Sequence, residues 1–185
     1  MDDVTKSLKI EEDWNRTVFV SVLRDQVDFY LRSARMQMDR LDAGFAAYEA
    51  NALAGEDWAD DCRRVASDAF FYFVCWHQVG RMMHLFWKKT GDPAVGNVCE
   101  KHRSELDKYA GARHRIQHVD SRTPGKRLAH EISPSKEIWY PGGIAPFIRQ
   151  YEIGRVQYDI SRKSFELLDK IVGDFNAASE LHVHS

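Results

Sequence analysis

Apolar residues recur at near-helical spacing along four stretches of the chain, and their phase sets the architecture to expect. From Glu11 onward, Trp14, Val18, Val22, Val27 or Phe29, Leu31 and Met36 alternate with Asp, Arg and Gln, the signature of an amphipathic helix. One very long helix, or two collinear pieces, is predicted over about 11–53, with Gly55 as its stop. Residues 1–10 carry no period and are expected to be a loose arm.

A second helix is predicted to begin near Glu56 or Asp57, where acids suit a helix N-terminus, and to end at Lys88-Lys89-Thr90-Gly91. Its stripe of Val65, Ala69, Phe70, Phe73, Trp76, Val79, Met83 and Phe86 marks it as the centre of the core. Asp92-Pro93 reads as an N-cap followed by a first-turn proline. A third helix then carries Val98, His102, Leu106, Tyr109, Arg113 and Ile116. Ser121 to Gly143 is rich in Pro, Gly, Ser and Lys and reads as loop. Phe147–Tyr151 and Arg155–Ile160 flank Glu152-Ile153-Gly154 as a small hairpin. Ser161 caps a closing helix with Phe165, Leu168, Ile171, Val172 and Phe175 on one stripe, and residues 180–185 are expected to be loose.

The prediction is therefore an all-α protein: an antiparallel four-helix bundle with a loop and β-hairpin excursion over 121–160, forming one domain over 1–185. A first helix of such length with one exposed hydrophobic side also favours a homodimer.

Composition adds bounds rather than detail. A net charge of −2 and a pI near 6.4 exclude a strongly basic nucleic-acid binder. The charge is uneven, however: Lys101, Arg103, Lys108, Arg113, Arg115, Arg122, Lys126 and Arg127 stand against Glu105, Asp107 and Asp120, a local balance of +5 between 101 and 127. That is the place for a polyanion to land. Cys62, Cys75 and Cys99 lack any C-x-x-C spacing, which argues against a disulfide framework or a thiolate zinc site and for a reducing, cytoplasmic setting. The start Met1-Asp2-Asp3-Val4 does not read as a secretory signal. The apolar run Phe70 to Trp87 contains His77, Gln78, Arg81 and His84, so it reads as a core helix and not a membrane span.

The chemistry concentrates in Arg113-His114-Arg115-Ile116-Gln117-His118-Val119-Asp120. At about 100° per residue, Arg113 falls on the stripe of Leu106, Tyr109, Ala110 and Ile116. A cation there needs an anion or a route to water. The partner is a structural carboxylate, with Asp61, Asp68 or Asp120 as candidates, or it is a phosphate.

The arrangement Arg113-His114-x3-His118 resembles the R-polar-x3-H signature of HEPN domains. This spacing with a polar residue after the arginine is expected by chance only about a tenth of a time in a chain of this composition. The long helices before the motif, its position late in a helix and the β-excursion that follows are similar to uncharacterised bacterial members of that family. The resemblance implies a metal-independent endoribonuclease of toxin or defence type, working without a cofactor as a homodimer whose site is composed across the two copies. It implies His118 as acid or base, Arg113 as phosphate clamp and His114 as polar helper, with single-stranded RNA as substrate and an antitoxin or other protein as partner. Arg115, Lys126 and Arg127 are the residues expected to touch the RNA backbone.

Those residue types suit the chemistry. Cleavage by 2′-OH attack needs proton transfer near neutrality, which histidine supplies, and a cation on the phosphorane, which an arginine fork supplies at any working pH. Two other readings compete. The family has non-catalytic members, so the chain is alternatively an interaction or regulatory module whose motif serves folding. Alternatively His114 and His118, at i and i+4, chelate zinc or nickel with His77 and His84, although the chain has no Glu-x-x-His.

Overall fold

A computed structural model describes residues 2–117, 143–145, 149–153 and 156–180, with side chains over 17–116, 149–151 and 156–180. The described chain is mostly helical, with a small antiparallel sheet. The first helix, α1, spans Asp2–Ala54. It is a single helix, and it reaches back to Asp2, so the loose arm expected over residues 1–10 is instead helical from Asp2. Gly55, at φ 73°, ends it. Its buried face is Leu23, Val27, Ala34, Met38, Leu41 and Phe45. This corrects the expected phase, because Val18, Val22, Phe29 and Met36 lie on the outer side of the helix.

Helix α2 spans Ala59–Thr90, starting slightly later than expected because Asp57 caps it from outside: its Oδ1 accepts from the Ala59 N–H at 2.9 Å. Of the stripe read from the sequence, Phe70 is half-buried and Val65, Ala69, Phe73, Trp76, Val79, Met83 and Phe86 are buried. Gly91, in the left-handed region, closes the helix, its N–H donating to the Trp87 carbonyl. Close packing of α1 on α2 is set by Gly44, where a Cβ would stand 2.7 Å from Val65 Cγ2.

The expected third helix is two: α3, Pro93–Lys101, and α4, Arg103–Gln117. The Asp92 cap is present, Oδ1 accepting from the Ala94 N–H at 2.8 Å. The break falls at His102, whose buried ring meets Asp174 of the last helix. The predicted hairpin forms as β2, Gln150–Ile153, and β3, Val156–Asp159. Strand β2 runs two residues further than expected, to Ile153, which pairs with Val156. A third strand, β1, Gly143–Ala145, pairs antiparallel with β2 where only loop was expected. Two short ties fix this sheet to the helices. Tyr109 of α4 donates to the Asp159 carbonyl at 2.9 Å, and Arg149 reaches Asp42 on α1.

The closing helix α5, Arg162–Glu180, begins at the Ser161 cap, whose Oγ accepts from the Lys163 N–H at 3.3 Å. Phe165, Leu168, Ile171, Val172 and Phe175 are all buried, as the stripe predicts. They join the α1 and α2 faces and the sheet's Tyr151 and Tyr158 in one continuous core. Arg162 holds α5 to α1 through Asp39 and Asp42, at 2.5 and 2.6 Å. Among the described residues no helix is long and apolar enough to cross a membrane.

Candidate functional site

Arg113 is positioned by the packing of α4 on α2. The ring of Tyr109, one turn earlier, stacks on Trp76 with centroids 4.0 Å apart and planes 14° from parallel. That stack sets the rotation of α4 and turns Arg113 inward. Its Nε is buried and has no hydrogen-bond partner among the described residues.

Two of the three carboxylates expected to satisfy it are engaged elsewhere. Asp68 accepts from Arg40 Nε at 2.8 Å, and Asp61 accepts from Asn51 Nδ2 at 2.6 Å with Arg64 at 3.7 Å. The third, Asp120, lies outside the described residues, as do His118, Lys126 and Arg127.

The side chain electrostatically closest to this question is His77 of α2. Burial, then the positive charges of Arg113 and Arg81, hold its imidazole below the ordinary value. A neutral ring with an open nitrogen lone pair is therefore favoured there at pH 7. The sequence marks His77 as a metal candidate or as a core or groove histidine, and it lines a groove. Its relation to Arg113 comes from the antiparallel packing of two helices, which no local pattern encodes.

From His77 a groove of about 510 Å³ runs between α2 and the α3–α4 segment. One wall is the α2 row His77, Arg81, His84 and Lys88, residues at i, i+4, i+7 and i+11 that share a helix face. Gly80 forms part of the floor and brings the helices together, a Cβ there standing 3.3 Å from Leu106. The opposite wall carries Glu100, Arg103 and Asp107. Arg103 pairs with both acids, at 3.3 and 3.6 Å, so that wall neutralises itself. Arg81 and Lys88 make no ion pair among the described residues, and Lys88 instead lies over the Trp87 ring at 4.6 Å. Among the described residues the charges of Arg81 and Lys88 on the α2 wall are thus not neutralised by an acid.

The remaining predicted residues separate. His114 and Arg115 are exposed on α4. Burial pushes the Tyr158 hydroxyl of β3 up and the charge of Arg115 opposes it; Arg115 is not among the residues lining the groove. Among the described residues no three His, Cys, Asp or Glu side chains converge as a metal site. Cys75 is buried and its thiol is pushed up to about 12 by burial, which suits packing and not nucleophilic attack. No protein family, no curated protein and no solved structure matches the chain.

Proposed function

We propose that the protein is a metal-independent endoribonuclease of the HEPN type, cytoplasmic and of toxin or defence character, built on an antiparallel four-helix bundle. The observation that carries this reading is the buried Arg113 Nε without a partner among the described residues, while Asp61 and Asp68 are held by other groups. A cation with no ion pair among the described residues suits a ligand that brings its own negative charge.

In the reaction the RNA 2′-oxygen attacks the neighbouring phosphorus as its proton leaves to a base. The bond from phosphorus to the 5′-oxygen breaks, and an acid returns a proton to that oxygen, leaving a 2′,3′-cyclic phosphate. Arg113 carries the negative charge of the phosphorane, His118 is the proton-transfer group and His114 the polar helper. His77, favoured as the neutral imidazole by burial and by the charge of Arg113, is a second acceptor for the 2′-OH proton. The α2 row from His77 to Lys88 spans about 17 Å at helical rise and supplies a track for the strand's backbone.

The test is single-stranded RNA incubated with purified protein in EDTA, the products analysed for 2′,3′-cyclic phosphate ends. Wild type is expected to cleave and His118→Ala to lose cleavage by about a hundredfold or more. Equal, slow degradation by both proteins would sink the reading. In that case the non-catalytic alternative gains, and it requires Arg113→Ala to lower thermal stability with no measurable RNA affinity.

A further inference from the structure

The first helix has two apolar stripes, and the chain buries only one of them. Val18, Val22, Phe29 and Met36 are 44%, 47%, 51% and 54% exposed. With Asp25 and Arg32, also exposed, they fall within about 40° of one line along the helix. That line faces away from α2 and α5. Four large apolar side chains in register on one solvent face are more than the scattered exposure of an ordinary surface.

We infer that this stripe binds a second copy of the same chain, with the two α1 helices antiparallel about a two-fold axis at Phe29. Between residues 22 and 36 the order is self-complementary about that point. At 1.5 Å per residue, Val22 and Met36 lie about 10.5 Å on either side of Phe29, so each meets the other across the axis. Asp25 lies about 6 Å to one side and Arg32 about 4.5 Å to the other, so each acid faces an arginine of the partner. A parallel pairing would set Asp25 on Asp25 and Arg32 on Arg32, which like-charge repulsion disfavours.

The length of the helix supports the same register. Phe29 is within one residue of the midpoint of Asp2–Ala54, so the antiparallel pair overlaps along nearly the whole helix. Helix α2 ends beside Phe19, whose ring lies 5.6 Å from Lys89 Nζ, and α5 ends where Glu180 meets Arg24 at 3.0 Å. Among the described residues, 2–16 therefore run on past the ends of α2 and α5. The antiparallel register lays that segment beside residues 42–56 of the second copy.

This pairing does not depend on the ribonuclease reading. The stripe faces away from α2, and α4 packs on α2, so each copy keeps its own groove and the two grooves share no wall. A site composed across the dimer would need a different face.

The experiment is disulfide trapping in a Cys62→Ser background, combined with sedimentation velocity. Wild type is expected to sediment as a dimer. Phe29→Asp should give a monomer with unchanged helical circular dichroism, since the ring is half exposed. Phe29→Cys should cross-link to itself. Val22→Cys and Met36→Cys should each fail alone and cross-link when mixed. Asp25→Arg should weaken the dimer by about tenfold, and Asp25→Arg with Arg32→Asp should restore it. A monomeric wild type at its highest soluble concentration, or efficient self-linking of Val22→Cys and Met36→Cys, would overturn the proposal. The cleavage assay reads separately, because the stripe and the groove lie on different faces of the protein.

Discussion

His102 Nε2 and Asp174 Oδ2 stand 2.9 Å apart, joining the bend between α3 and α4 to the middle of α5. Lys101 Nζ reaches the same oxygen at 2.8 Å. Lys101 first, then His102, hold the Asp174 carboxyl down to about 2 from an ordinary 3.8. A carboxylate with a depressed folded value contributes stability above its unfolded value and loses it as pH falls through the folded one. Asp174→Asn is therefore expected to cost about 1 kcal/mol at neutral pH, a small figure because the pair is partly solvent-screened. The gap from wild type should narrow from about pH 4 and close near pH 2, as urea titrations at a series of pH values would show.

Arg113 supplies a test that separates ligand binding from folding. Arg113 is half-buried and has no ion pair among the described residues, and replacing such a cation by a similar apolar volume is often neutral or stabilising. Arg113→Met should keep or raise the melting temperature while RNA affinity falls about tenfold or more. A large loss of stability would identify a structural partner for the guanidinium instead.

His77 reports on the same charge from the other side. Its imidazole is held down by burial, then by Arg113 and Arg81, so its neutral form belongs to the fold. Its contribution is present above the unfolded value and is lost as pH falls below it. In proton NMR titrations, Arg113→Met should move its midpoint up toward the ordinary histidine value. A phosphate-containing oligonucleotide should move it up in wild type, because an anion there favours imidazolium. No movement in either experiment would remove His77 from the site.

Two glycines near the groove should respond in opposite directions to alanine. A Cβ at Gly96 would stand 2.6 Å from Trp87 Nε1 and 2.9 Å from Cε2, parts of a rigid ring. Gly96→Ala is expected to cost about 1–3 kcal/mol through overpacking. Gly111, inside α4, has nothing within 4 Å of its would-be Cβ. Gly111→Ala should gain about 0.5–1 kcal/mol from helix propensity alone. Thermal melts of the two variants would check both signs.

What the sequence made legible follows from how locally each feature is encoded. The α5 stripe, the α2 stripe, the Asp92 cap and the β2–β3 hairpin rest on spacing and turn chemistry within one segment, and all are present. The break at His102 carries no glycine or proline, and Val98 and Leu106 keep the period across it; the bend follows from a contact with α5. Strand β1 is three residues long and exists by pairing with β2, in a region whose prolines read as loop. In α1 the sequence held two apolar phases and the more conspicuous one faced outward. The inward turn of Arg113 was readable from its place beside Tyr109. The approach of His77 and the engagement of Asp61 and Asp68 depend on partners from other helices.

The link between α1 and α2 also has a consequence for the order of folding. Only residues 55–58 separate the two longest helices, so their many contacts close a short loop, the kind of local pairing that forms fastest. Helix α5 arrives more than a hundred residues after the centre of α1, and it brings Phe175 onto Phe86 with ring centroids 5.2 Å apart. During synthesis the α1–α2 hairpin is thus expected to form while its α5-binding face is still bare. The outer stripe of α1 is complete at that same stage, so copies made side by side on one messenger would be able to pair before either has closed its core.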